Sequence, residues 1–186
     1  MIVKTIIFVN PKNLQLGYFQ KFLPLGVPLG IGLLAARLRS LGYEVRLWDL
    51  EIEVFTDQHI LNSIPDEGKN IIFAISCMTP NASQGYDFAN NIRKLLPKAY
   101  ITFGGIHPTA VPDEPLRLGC ANAVVRGEGE ETFPKLISCL EESKPIYNLP
   151  NISTFDASGN IVHGSAVIEK LDLNMYPSFP YDLIDT

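Results

Sequence analysis

Short runs of β-branched and aromatic residues recur along this chain, each followed by a turn rich in Gly, Pro or Asn and then by residues at helical spacing. No other feature constrains the fold as much, because strand–helix alternation of this kind buries itself only as a parallel sheet covered by helices. The first run, Val3 to Val9, is almost continuously apolar, as a strand covered on both faces must be. Val45-Arg46-Leu47-Trp48 alternates instead, which suits a strand nearer the sheet edge. Asn70 to Ser76, Tyr100 to Phe103 and Ala123 to Val125 complete the set. A helix is expected from Pro28, where a missing N–H costs nothing, turning Leu29, Leu33, Leu34, Leu38 and Leu41 inward and stopping at Gly42. Another follows Pro80 and ends before Pro97, and a third opens near Glu130 and buries Phe133, Leu136, Ile137 and Leu140.

Right-handed crossovers then predict a doubly wound α/β unit, five-stranded and parallel, over residues 1–145. The expected order is 2-1-3-4-5, the flavodoxin-like (Rossmann-like) arrangement. Residues 146–170 differ in kind: Asn151 to Phe155 and Asn160 to His163 flank Asp156-Ala157-Ser158-Gly159, a hairpin signal, and form an expected β-hairpin appendage. Residues 171–186 hold two prolines and two tyrosines without periodicity and read as a linker strap. The net charge of −5, with no Lys/Arg run, argues against a nucleic-acid partner. No apolar stretch is long enough for a membrane span, and the apolar start is too short for a signal-peptide core. Cys77, Cys120 and Cys139 are scattered, with no CxxC or Cys/His cluster, so no zinc or iron–sulfur motif is present and a reduced, cytoplasmic setting is expected.

Ligands of an open parallel sheet bind beyond the carboxyl ends of its strands, where the strand order reverses. Four loops qualify: Asn10-Pro11 onward; Ser76-Cys77-Met78-Thr79; Gly104-Gly105-Ile106-His107; and Arg126-Gly127-Glu128-Gly129. Glycine is ordinary in any one βα turn, but its gathering on one edge leaves room for a flat ligand to approach backbone. His107 is the one histidine on that edge and the candidate metal ligand; a helix-capping or loop-bonding role is the alternative. Arg126 and Glu128 either bond a ligand or pair with each other, while Glu130 and Glu131 complement the helix dipole. Cys77 reads as a small core residue. Gly30-x-Gly32-x-x-Ala35 with Asp49 imitates a dinucleotide fingerprint, but that motif must follow its strand directly, and here a long loop and Pro28 intervene.

PLGIGLLAARLRSLGYEVRLWDL, FGGIHPT and VVRGEGEETF, in that order, resemble the cobalamin-binding N-terminal domain of the cobalamin-dependent radical S-adenosylmethionine enzymes. The resemblance spans nearly the whole chain, and LDLNMYPSFPYDLID is similar to the strap that leads into that family's radical barrel. It implies a cobalamin cofactor, with Ser76 and Gly104-Gly105 lining a slot for its nucleotide tail. It also implies a partner barrel further along the protein that carries a 4Fe–4S cluster and S-adenosylmethionine, for methyl transfer or oxidative cyclisation. The isolated chain is then expected to be inactive by itself. Where such domains often carry DxHxxG, this chain reads Val27-Pro28-Leu29-Gly30-Ile31-Gly32, which implies a base-off cobalt with no imidazole from that motif. Asp57-Gln58-His59 mimics half of the motif but follows the second strand, so His59 reads as a surface helix residue.

Two other classes compete. One is a domain of the same ancestry that only packs against or gates the barrel. The other is an unrelated flavodoxin-like carrier of flavin or nucleotide. A phosphoacceptor receiver is disfavoured, because Asn10 and Ser76 stand where it needs acids.

Overall fold

A computed structural model describes residues 1–13, 28–168 and 177–183. Much of the proline-bearing loop after the first strand (14–27) and the first part of the strap (169–176) lie outside the described residues. The strands are β1 (Thr5–Asn10), β2 (Glu44–Asp49), β3 (Ile71–Ser76), β4 (Tyr100–Gly104), β5 (Ala123–Val125), β6 (Ile152–Phe155) and β7 (Ile161–His163). The helices are α1 (Leu29–Ser40), α2 (Asp57–Ser63), α3 (Ala82–Leu95), α4 (Ile106–Ala110), α5 (Asp113–Arg117) and α6 (Gly129–Glu141).

All seven strands belong to one sheet in the order β2-β1-β3-β4-β5-β6-β7. The first five are parallel, in the predicted order. The count of five needs correction, because the hairpin is no separate appendage. β6 pairs antiparallel with β5, Val124 against Ser153, and β7 pairs with β6. The reason is the edge: a bare β5 would expose a row of unsatisfied N–H and C=O groups, and the hairpin covers it. Its turn closes as read from sequence, with the Asp156 carboxylate accepting from the Ser158 and Asn160 N–H groups at 2.8 and 2.9 Å.

Two apolar layers flank the sheet. On one side Ile60 and Ile64 of the α2 region, Tyr86, Ala89 and Ile92 of α3 and Leu116 of α5 pack on Ile7, Val9, Phe73, Ile75, Ile101 and Phe103. On the other, α1 and α6 bring Ile31, Ala35, Leu38, Phe133, Leu136 and Ile137 onto Ile6, Phe8, Ile72 and Val125. The inward face of α1 differs from expectation. Ile31, Gly32, Ala35, Ala36 and Leu38 are buried, whereas Leu29 and Leu41 are 63% and 47% exposed. Small residues take the inner face because the neighbours come close. A methyl at Gly32 would lie 1.8 Å from the Phe179 ring, and one at Gly129 would lie 3.2 Å from Leu34 Cδ2. The end of the strap thus lies along α1: Phe179 meets Gly32, Arg39 Nη1 donates to both carboxylate oxygens of Asp182 at 2.9 and 2.7 Å, and Leu183 packs on the α1/α6 layer. The exposed ion pair contributes less than about 1 kcal/mol, so the ring does most of the anchoring.

Candidate functional site

The parallel register sets the site. Phe8 of β1 faces Ala74 of β3, Ala74 faces Thr102 of β4, and Thr102 faces Ala123 of β5. Three small side chains in a row sink the sheet surface between α1 and α6. Two residues on, Ser76 pairs with Gly104, which has no side chain to refill the space. The result is a cleft of about 610 Å³, walled by Gly30, Ile31 and Leu34 of α1, by Gly104 to Ile106, and by Gly127 to Glu130. Phe8 and Phe133 meet edge to face in its lining, with ring centres 6.0 Å apart. The strand order reverses between β1 and β3, so the cleft opens where a doubly wound sheet is expected to hold a ligand.

Of the residues singled out in sequence, Ser76, Gly104, Gly105, Ile106, Gly127, Glu128 and Gly129 line this cleft. The others lie outside its lining. Asn10 donates its amide to Asp49 Oδ1 at 2.9 Å, and the Pro11 carbonyl accepts from Asn81 Nδ2 at 3.1 Å. The Cys77 N–H donates to the Gly104 carbonyl at 2.9 Å, and its own carbonyl accepts from the His107 N–H at 3.2 Å. Its thiol is buried and pushed up to about 12 by that burial, with the Cys120 thiol adding to the effect, which suits a core residue and not a nucleophile. Met78 is half exposed and anchors the start of the following turn through its N–H to Asn81 Oδ1.

His107 has both ring nitrogens engaged: Nδ1 with Thr79 Oγ1 at 3.2 Å and Nε2 with Glu114 Oε2 at 3.0 Å. The loop-bonding reading therefore describes it better than the metal-ligand reading. Arg126 sends its guanidinium to the Gly164 carbonyl and its N–H to Asn151, tying β5 to the hairpin segment. Gly127 N–H donates to Thr109 Oγ1 at 2.9 Å, joining two rim loops. His59 stands exposed on α2, its ring 5.2 Å from that of Phe55. Among the described residues, no group of three or more His, Cys, Asp or Glu is placed to hold a metal ion.

Sequence reasoning passed over two cleft residues. Among the described residues, Thr102 is 2% exposed with no partner for Oγ1, and Glu130 is 7% exposed with no partner for Oε2. The one clue to Thr102 was a hydroxyl inside an apolar strand; Glu130 had looked like a dipole complement. Burial pushes the Glu130 carboxyl up, helped by Glu128 and Glu131 and opposed by the N–H groups of Glu130 and Gly129 at the helix start. A folded-state value raised above the unfolded one favours folding at low pH, and that contribution is lost as pH climbs through the raised value. The urea midpoint of Glu130→Gln should therefore match the parent in acid and rise above it towards neutral pH. Equal midpoints at every pH would refute the assignment.

Two glycines test what the cleft is for. Among the described residues, a Cβ at Gly30 would meet nothing within 4 Å, and one at Gly104 would meet only the Val125 carbonyl at an ordinary 3.7 Å. Neither has a backbone conformation that demands glycine. Packing among the described residues thus leaves room for a Cβ at both positions.

A family model described as the B12 binding domain matches residues 17–137. Hopanoid C-3 methylase of Methylococcus capsulatus is 30% identical over 154 residues, which cover 81% of this chain and 29% of that protein. Anaerobic magnesium-protoporphyrin IX monomethyl ester cyclase of Synechocystis is 26% identical over 188 residues, covering 97% and 36%. This chain thus spans about a third of the length of these curated relatives. Among solved structures, the cobalamin-dependent S-adenosylmethionine radical enzyme OxsB, with aqua-cobalamin and S-adenosylmethionine bound, superposes with a TM-score of 0.71 at 24% identity, over 98% of this chain and 25% of that one. The radical S-adenosylmethionine methyltransferase TsrM of Kitasatospora setae, with cobalamin and a [4Fe-4S] cluster, gives 0.69 at 18% identity, over 88% and 31%. These two likenesses establish the fold, and the family-model match extends over well over half of the sequence. The chain belongs to the B12-binding domain family.

Proposed function

We infer that this domain binds cobalamin at the carboxyl edge of its sheet and serves as the cofactor-bearing part of a longer radical S-adenosylmethionine enzyme. The observation that carries the reading is the open cleft with spare space at Gly30 and Gly104. A volume of about 610 Å³ admits the nucleotide tail of the cofactor but not its macrocycle, so the side-chain-poor rim at Gly105 and Gly127 is left to face the corrin. Ser76, Thr102, Thr109, Glu128 and Glu130 are the polar side chains of a lining that is otherwise glycine and apolar residues. When bound, cobalamin supplies a cobalt centre able to accept and pass on a methyl group. The protein's share is to enclose the tail, exclude water from it and hold the rim loops in register. His107 is committed to Thr79 and Glu114, which supports a metal without a protein imidazole; the base-off state belongs to the same reading. The barrel, the 4Fe–4S cluster and S-adenosylmethionine belong to the rest of the longer protein in this reading, with methyl transfer or cyclisation as the reaction.

The test is direct. The domain is mixed with hydroxocobalamin, desalted, and its visible spectrum recorded. Retained corrin absorbance with a base-off band is the expected outcome. A colourless domain, together with a colourless longer protein purified from cells supplied with corrinoid, sinks the reading.

A further inference from the structure

Two faces of α1 are in use. Gly30, Ile31 and Leu34 wall the cleft. At about 100° per residue, Gly32 points roughly 150° away from the mean direction of those three, and a Cβ there would overlap the Phe179 ring. Ala36, which is buried, and Arg39 follow on that same rear face at i+4 and i+7. Arg39 Nη1 holds both carboxylate oxygens of Asp182 at 2.9 and 2.7 Å, and Leu183 packs on the α1/α6 layer. At the flank Leu34 abuts α6, since a Cβ on Gly129 would lie 3.2 Å from its Cδ2. The end of the strap thus lies behind the helix whose front walls the cleft.

We propose that the strap is a clasp on the cleft wall: a ligand in the cleft props α1 against the Phe179 ring, so that occupancy and strap seating stabilise each other. The proposal rests on the corrinoid reading above and adds a regulation of that same site. Its physical reason lies in the lining, where Phe8, Ile31, Leu34 and Phe133 expose apolar surface to the cleft. An empty apolar cleft is driven to shrink. Tipping α1 towards the sheet fills the cleft with Ile31 and Leu34 and draws Gly32 back from the ring, which loses its cover. A ligand in the cleft blocks that movement and keeps the ring seated. By linkage, the factor by which the ligand favours seating equals the factor by which seating favours the ligand.

Chymotrypsin reads the strap directly. It passes over Phe179, which Pro180 follows, and cuts after Tyr181, which is 67% exposed. The rate of that cut tracks the population in which the strap has lifted from α1. Saturating hydroxocobalamin should slow it about fivefold or more, followed by mass against cuts elsewhere in the chain. Phe179→Ala and Gly32→Ala both unseat the strap, the second by placing a methyl where the ring lies. Each should weaken hydroxocobalamin binding about fivefold and remove the protection at Tyr181. Gly32→Ala is the cleaner variant, because alanine favours the helix and the cleft wall keeps its residues. If Phe179→Ala fails to fold, Gly32→Ala and the parent still decide. Protection that persists in the variants would mean that the corrin shields Tyr181 directly, and overturns the proposal. A cut as fast with hydroxocobalamin as without it, or variants that bind as the parent does, overturns it too and leaves corrinoid binding intact. Where only the longer protein retains cobalamin, the same cut and variants are read in it. If neither form binds hydroxocobalamin, the clasp and the corrinoid reading fall together.

Discussion

Gly104→Leu is expected to abolish cobalamin retention, weakening binding by about a hundredfold or more, while the domain keeps its fold and thermal midpoint. The magnitude follows from displacement: a leucine side chain projecting into the cleft removes space that the tail must occupy, and overlap of this kind is not relieved by small shifts in a close-packed interior. Stability is spared because the added Cβ finds only the Val125 carbonyl, at 3.7 Å, and because Gly104 closes a strand where a branched side chain is acceptable. Equilibrium titration with hydroxocobalamin beside a melting curve separates the two effects. A Gly104→Leu protein that binds as the parent does would place the cofactor elsewhere.

The neighbouring glycine should behave in the opposite way. Gly105→Ala is expected to lose about 3 kcal/mol of stability, the upper end of the cost of holding a residue in a glycine-only backbone region. At φ +94° and ψ −175° Gly105 occupies that region. A Cβ there would lie 2.6 Å from the Cys77 carbonyl and 3.0 Å from the Cys77 nitrogen. These are backbone atoms of the turn after β3, and they cannot move aside without breaking the Cys77 N–H bond to Gly104 and the His107 N–H bond to Cys77. Urea denaturation measures the loss; an unchanged midpoint would show that the turn relaxes freely. Two adjacent glycines are thus expected to separate in these measurements, Gly104 affecting retention and Gly105 affecting stability.

Much of the architecture was legible in the residues. Near-continuous apolar runs marked the inner strands, the alternation in Val45 to Trp48 marked the outer one, and Asp156 to Gly159 marked the hairpin, because strand burial and turn chemistry are local properties. Gly104-Gly105 and Gly127 marked turns that line the cleft for the same reason. What escaped was set by distant contacts. Leu29 and Leu41 share apolar character with the residues that do face inward, yet α1 turns Ile31, Ala35 and Leu38 onto the sheet and sets Gly32 against the Phe179 ring, from well over a hundred positions away. The hairpin's docking on β5 was equally out of reach, since an edge is defined only once the whole sheet is assembled.

From sequence alone came the wound α/β plan, the strand order and the sheet edge that carries the glycine-rich turns, because periodicity, chain chirality and glycine placement act within a few residues. Only the tertiary structure decided the depth and lining of the cleft. Ala74, Thr102 and Ala123 become neighbours through inter-strand register, and Glu130 becomes buried through the packing of α6 beside α1. Side-by-side placement of residues far apart in the chain is a property of the assembled sheet, and local preference carries no record of it.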